Sequence, residues 1–172
     1  TMLICLIATG AGFIYLAKAG WYLSAADTAL FVLDVILLVL FGTALSSIIN
    51  FFLSSQGQMS AVGTIVSAGY GFICGAYMPI SQFGETLQHV ISFLPGTYGT
   101  SLLRNHALAG VYQEMADTGF PSEVIEAIKD SVDCNLYFFD SKVETGTMYL
   151  ILAGSTAVLI GIYIVMNLLK RH

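Results

Sequence analysis

Residues 28–53 read TALFVLDVILLVLFGTALSSIINFFL, and this run decides the fold class. Asp34 is its only charged residue. A helix needs about 20 mainly apolar residues to cross the roughly 30 Å of hydrocarbon in a bilayer, and this run is long enough. We therefore predict that residues 28–53 form a membrane-spanning helix, with Asp27 as a plausible N-cap just before it.

Three further apolar runs qualify, or nearly qualify, as membrane spans. They are residues 2–19, which are slightly short, residues 59–78, which end at Pro79, and residues 147–169. Apolar residues make up 56% of the chain and charged residues 10%, so more apolar surface is present than a chain of this size can bury within itself. The sequence predicts an all-α integral membrane protein with four transmembrane helices, in which residues 1–172 form a single transmembrane domain.

The charged residues are concentrated in one part of the chain. Residues 39–84 contain no Asp, Glu, Lys or Arg, and most of the acidic residues lie between Glu85 and Glu144. The net charge of -5 therefore describes one polar segment. Because the sequence has no basic stripe, we expect no nucleic-acid partner.

Residues 82–145 separate the third and fourth predicted spans. Their apolar periodicity predicts an amphipathic helix that is broken at Pro95-Gly96, followed by a second short helix over residues 97–108. Neither is long enough to span, and together they predict a re-entrant hairpin, which is tolerated at membrane depth only when it packs within protein. Another helix, predicted to begin near Pro121, forms a small external cap before the last span.

The third predicted span carries small residues at every fourth position. They are Gly63, Ser67, Gly71 and Gly75, which lie along one helical face. Small residues at this spacing allow another helix to approach closely in lipid. We predict a packing face against a neighbouring span or a second subunit, with chance spacing as the alternative because glycine is common in membrane helices.

Two charged residues have two interpretations each. Asp34 either contacts a substrate or a cation in a pathway, or lies near the outer interface, paired with a neighbour such as Lys18. Arg104 either belongs to an outer gate or headgroup contact, or ties down free carbonyl groups in the broken hairpin.

No catalytic machinery can be recognised. The chain has no phosphate-binding G-x-x-x-x-G-K-[ST] loop and no H-E-x-x-H motif, and none of His89, His106 and His172 lies at membrane depth in the predicted topology. We predict that the chain is not an enzyme, with no catalytic residues, no cofactor and no metal.

The stretch from Gly75 to Leu108 reads GAYMPISQFGETLQHVISFLPGTYGTSLLRNHAL. It resembles the signature of ABC-2 type permeases, the membrane subunits of one class of ATP-binding-cassette exporters. Their pattern is a span ending in small residues, an aromatic residue and a proline, a short amphipathic helix, a break, and a helix with an arginine. The matching positions are Gly75, Tyr77, Pro79, Leu94, Pro95, Tyr98 and Arg104.

The resemblance implies a multi-pass permease in a cell membrane, with the plasma membrane of a bacterium as the expected location. Family members have six spans, so the four spans here correspond to the third to sixth, and the chain is expected to be a fragment. Its partners would be a separate ATP-binding-cassette ATPase and a second permease, in a homodimer or heterodimer, with residues 82–145 outside. Candidate gate residues are Pro79, Pro95, Gly96, Tyr98 and Arg104. The alternatives are a membrane scaffold or assembly subunit, and a passive channel, for which no selectivity filter is recognisable.

Overall fold

The computed structural model describes residues 2–139 and 141–170. The chain is all-α, with 78% of the described residues in helices, which confirms the predicted class. A short 3₁₀ turn and a two-stranded antiparallel ribbon complete it. The elements are α1 (Met2–Ala19), α2 (Ala25–Phe51), α3 (Gln56–Ile73), the 3₁₀ turn (Ile80–Gln82), α4 (Glu85–Ile91), α5 (Pro95–Asp117), α6 (Ser122–Ser131), β1 (Tyr137–Phe138), β2 (Ser141–Lys142) and α7 (Thr145–Lys170).

Two of these helices are long and apolar enough to cross a membrane by length and composition. They are α2, with 27 residues, and α7, with 26. At 1.5 Å per residue each is about 40 Å long, which exceeds the hydrocarbon thickness. The helices α1 and α3 are shorter, so the structure supports two spanning helices where the sequence predicts four.

Capping residues fix where α2 and α3 begin. Ser24 is the N-cap of α2: its hydroxyl accepts a hydrogen bond from the Asp27 backbone N–H, and the Asp27 carboxylate accepts one from the Ser24 N–H. The prediction of Asp27 as N-cap is therefore wrong by three positions. Ser55 and Gln58 make the same reciprocal arrangement at the start of α3.

The third predicted span ends earlier than expected. Its helix stops at Ile73, and Gly75 follows with φ +80°, a left-handed conformation that glycine adopts without a steric penalty. The chain has thus left the helix before it reaches Pro79, so the proline does not terminate α3.

The second helix of the predicted hairpin is much longer than residues 97–108. It is α5, with 23 residues from Pro95 to Asp117. Pro95 is its first residue, where the missing N–H leaves no intrahelical bond unmade. The predicted length is wrong because the helix does not end at Leu108: it continues to Asp117, and Tyr112 and Met115 in this part pack against α6.

The core lies where α2, α5 and α7 pack together, and we call these the three-helix core. Its most deeply buried apolar side chains include Ile91, Leu102 and Leu152, each 0% exposed. The helix α3 buries no residue, and α1 is largely exposed. A second, smaller cluster of Tyr112, Ile125 and Cys134 joins α5 to the insert, defined here as α6 with β1 and β2.

Glycines on α5 show how it lies against α2. A Cβ atom added at Gly110 would be 1.7 Å from the carbonyl oxygen of Tyr22, just before α2 begins. One added at Gly99 would be 2.3 Å from a side-chain carbon of Leu38. Leu38 is about 20 Å along α2 from Ala25. The helix α5 is therefore antiparallel to α2, and its first turns lie level with the middle of α2.

Candidate functional site

A buried polar cluster joins the three helices of the core. Asp34 on α2 is 0% exposed. The Nδ1 atom of His106, on α5, is 2.6 Å from Asp34 Oδ2, and the hydroxyl of Tyr149, on α7, donates to Asp34 Oδ1 at 2.5 Å. One carboxylate thus contacts both other helices of the core.

The partners of Asp34 differ from the one that the sequence suggested. Its carboxylate is hydrogen-bonded to His106 and Tyr149, and Lys18 makes no ion pair with it. Both carboxylate oxygens are hydrogen-bonded, as a carboxylate in apolar surroundings requires.

His106 is the residue that the sequence interpretation missed. It is 8% exposed and lies in the three-helix core, bonded to an aspartate of the long apolar helix α2. It was missed because residues 82–145 were expected to lie outside the membrane, away from Asp34. The only signal in the sequence was the presence of an acidic residue in one apolar helix and a histidine elsewhere.

The break between α4 and α5, residues 92–96, is held by side chains. The Tyr98 hydroxyl donates to the carbonyl of Ser92 at 2.5 Å, and the Thr97 hydroxyl donates to the carbonyl of Ile91 at 3.0 Å. Gly96 donates its N–H to the hydroxyl of Tyr70 at 3.3 Å. These bonds fix α4 at a defined angle to α5 and satisfy groups that the broken helix leaves without partners.

Arg104 ties the insert to the end of α3. Its guanidinium donates to the Val132 carbonyl at 3.1 Å, to Asp133 Oδ2 at 3.0 Å and to the carbonyl of Gly75. Two of these partners are carbonyl groups, as the structural alternative for Arg104 proposed, but they lie after α3 and α6 and not in the broken hairpin.

Asp133 completes this junction on the other side. It is 3% exposed and accepts hydrogen bonds from the backbone N–H groups of Ile80 at 2.5 Å and Ser81 at 3.1 Å, directly after Pro79. Its φ of +55° is unusual for a residue other than glycine. Three donors on one carboxylate hold the backbone in this conformation, and Pro79 is positioned through its neighbour Ile80.

A cavity of about 230 Å³ lies between the break and the insert. Polar side chains from α4, α5 and the insert line much of it, including Gln88, Ser92, Tyr98, Asp130, Asp133 and Tyr137. A second, apolar groove of about 480 Å³ runs between α1, α2 and α5, and is lined by residues such as Gly12, Phe13, Val35 and Leu103.

The predicted small-residue face of α3 does not pack closely within this chain. A Cβ added at Gly63 would meet no atom within 4 Å, while one at Gly71 would meet only the ring of Tyr77, at 3.1 Å. Gly63, Ser67 and Gly71 instead border a cavity of about 230 Å³ between α2 and α3. Packing of this face against a second subunit stays a prediction.

Within residues 2–139 and 141–170, no group of three or more His, Cys, Asp or Glu side chains is placed to hold a metal ion. No protein-family model, no curated protein and no solved structure matches this chain.

Proposed function

We propose that the chain is part of the membrane permease subunit of an ABC-2 type exporter, a multi-pass protein of the plasma membrane that depends on a separate ATP-binding-cassette ATPase. In this proposal α1 and α3 also cross the membrane, beside the two helices that are long enough on their own. A second permease copy or a paralogue completes the pathway.

One observation carries the proposal: α5 begins level with the middle of an apolar helix. Gly99 lies against Leu38, about 20 Å along α2. If α2 crosses the bilayer, the break is at membrane depth. Backbone groups left unpaired there cost several kcal/mol each unless protein satisfies them. The bonds from Tyr98, Thr97 and Tyr70 supply partners of this kind.

A re-entrant element of this kind closes one end of a pathway. The helix α5, which follows the break, is linked to the insert by hydrogen bonds from Ser101 and Asn105 to the Cys134 carbonyl. The insert is linked to the end of α3 through Arg104 and Asp133. A movement of α3 or α5 would thus be transmitted to the break. We assign Pro79, Pro95, Gly96, Tyr98 and Arg104 to this outer gate on that basis.

The first experiment tests dependence on an ATPase. The full-length protein is co-expressed with the ATP-binding-cassette ATPase encoded nearest to its gene, purified through a tag on the permease, and reconstituted in liposomes. We expect the ATPase to co-purify, and its hydrolysis rate to rise several-fold over that of the isolated ATPase. A version of the ATPase without its phosphate-binding lysine is the control for hydrolysis.

Other outcomes favour other functions. Stable expression without a bound ATPase would indicate a scaffold or assembly subunit. Ion current across the bilayer in the absence of ATP would indicate a passive channel.

The second experiment tests the gate. Tyr98→Phe removes the bond to Ser92 while it keeps the ring, so it loosens the break with little loss of packing. We expect the variant permease still to bind the ATPase. The ATP hydrolysis rate of the complex should no longer rise above that of the isolated ATPase, which would show that the two subunits are uncoupled. Gly96→Ala is a poorer choice, since its Cβ would lie 2.6 Å from the ring of Tyr70. Normal coupling in Tyr98→Phe would show that the break is only a connector.

A third experiment tests the orientation. Ser131→Cys, at the exposed end of α6, is placed in a background without native cysteines and treated with an impermeant maleimide on intact cells. The matched variant is Ser55→Cys, exposed between α2 and α3. We expect Ser131→Cys to react in intact cells and Ser55→Cys to react only after permeabilisation. The reverse pattern would invert the topology.

A further inference from the structure

We propose that Asp34, His106 and Tyr149 form a proton-binding site in the three-helix core, in which His106 takes up a proton at Nε2 and Asp34 holds the resulting imidazolium. This site goes beyond the proposed transport function. It requires neither an ATPase nor a transported substrate, and so it can be tested independently.

The hydrogen bonds define which atom accepts the proton. In this proposal Asp34 is ionised, so that both of its oxygens can only accept hydrogen bonds. The Tyr149 hydroxyl then donates to Oδ1, and the His106 nitrogen 2.6 Å from Oδ2 is the protonated Nδ1. The Nε2 atom then carries the free lone pair. It has no hydrogen-bond partner among residues 2–139 and 141–170, and the side chain of His106 is 10% exposed. Since no buried side-chain nitrogen or oxygen of the described residues lacks a hydrogen-bond partner, Nε2 keeps some accessible surface, and in this proposal the proton enters there.

The net charge of the cluster gives the reason why it takes up a proton. With a neutral imidazole the cluster has a net charge of -1, contributed by a carboxylate that is 0% exposed. A buried charge without a partner of opposite sign is costly in apolar surroundings. One proton at Nε2 converts His106 to its cation and brings the cluster to net zero, with the opposite charges 2.6 Å apart.

No other described cation compensates Asp34. On α5, the guanidinium of Arg104 is bound to the Val132 and Gly75 carbonyls and to Asp133. On α1, Lys18 makes no ion pair. From α7, the group that contacts the cluster is the neutral phenol of Tyr149. His106 is thus the one described side chain that bonds to Asp34 and can become positive.

The test is a measurement of the protonation of His106 in the full chain, in lipid nanodiscs, by ¹⁵N NMR of labelled histidines. His106→Gln assigns the resonances. We expect His106 to carry the imidazolium signature at mildly acidic pH and a neutral, Nδ1-protonated ring at alkaline pH. His89, exposed on α4, is the internal reference.

Asp34→Asn removes the charge with little change in shape. We expect the ratio of protonated to neutral His106 at one mildly acidic pH to fall about tenfold or more, because the opposite charge has been lost. His89 should not change. Tyr149→Phe removes one hydrogen bond but keeps the Asp34 carboxylate, so it should leave His106 protonated. It provides a second variant of the cluster if Asp34→Asn does not fold. The proposal is overturned if His106 stays neutral at a pH where His89 is protonated, or if Asp34→Asn leaves the ratio unchanged.

Discussion

Two helices of this protein carry glycines at helical spacing, and they use them in opposite ways. On α5, a Cβ atom at Gly96, Gly99 or Gly110 would lie within 2.6 Å of a neighbouring atom. On α3, a Cβ atom at Gly63 would meet nothing within 4 Å. Yet it is α3 that has the regular four-residue spacing in the sequence. Regular spacing therefore indicates that close packing is possible, and not that it occurs within the chain.

The difference follows from the contents of the two helices. The N-terminal half of α5 brings Tyr98 and Leu102 into the core at 3% and 0% exposure, and Arg104 and His106 form polar bonds on other sides. Neighbours thus enclose α5, and glycine is needed where the backbone of a neighbour comes close. In α3 all residues remain at least partly exposed, and a Cβ atom at Gly63 or Gly69 would have open space around it.

The largest expected effect is at Gly110. Its substitution by leucine places a side chain where the Tyr22 carbonyl oxygen lies, and a backbone oxygen cannot move aside as a flexible side chain can. Overpacking typically costs about 1–3 kcal/mol, and a backbone clash of this kind should reach or exceed the upper value. We expect a strongly lowered midpoint of thermal unfolding in detergent. Gly161→Ala, at an open position on α7, is the control and should be neutral or slightly stabilising.

Asp133→Asn should have the next largest effect. The substitution keeps the shape but removes the negative charge that meets Arg104 and two backbone N–H groups. Because Arg104 is partly exposed, we expect the substitution to lower the free energy of unfolding by about 2 kcal/mol, which is less than the loss on breaking a fully buried ion pair. The measurement is the reaction rate of the Cys134 thiol with a maleimide, since this thiol is 2% exposed while the insert is docked. Asp117→Asn, on the exposed end of α5, should leave that rate unchanged.

The stability of the insert should depend on pH, and this effect should be smaller than that of Asp133→Asn. Hydrogen bonds from Lys129, Lys142 and Asn135 lower the pKa of Glu126 from its ordinary 4.5 to about 2. A carboxyl group whose pKa is lower in the folded state stabilises that state above its unfolded pKa. This stabilisation is lost as the pH falls from about 4.5 towards 2.

The Glu126 carboxylate is half-exposed, so its contribution to the stability of the folded insert should be modest and should decrease with added salt. We expect amide exchange of α6 to accelerate over this pH range in the wild type relative to Glu126→Gln. Glu123→Gln, exposed in the same helix, is the matched control. Identical pH profiles for Glu126→Gln and the wild type would mean that these hydrogen bonds do not stabilise the insert.

Local patterns in the sequence predicted the helical class and the two long apolar helices, because length and hydropathy are properties of a single segment. The break at Pro95-Gly96 was also predicted, since proline acts on its own backbone. The pairing of Asp34 with His106 was not, because it joins residues 72 positions apart and depends on the length and direction of α5. Asp133 was missed for a similar reason: its role is set by the N–H groups of Ile80 and Ser81, and those have no signature in the sequence.

The smallest expected effect on the stability of the single chain is at the small-residue face of α3. Gly71→Leu would disturb the ring of Tyr77, 3.1 Å from the added Cβ, so it mixes an internal clash with any effect on assembly. Gly63→Leu is cleaner because its Cβ meets no atom of this chain. Small residues allow two helices to approach closely in lipid, so if α3 packs against a second permease, the leucine would keep the two helices apart.

We therefore expect Gly63→Leu to leave the thermal midpoint of the monomer unchanged and to shift the protein from dimer to monomer in crosslinking and size-exclusion experiments. Gly10→Leu, at an open position on α1, should change neither property. A dimer fraction that survives Gly63→Leu would mean that this face of α3 contacts lipid.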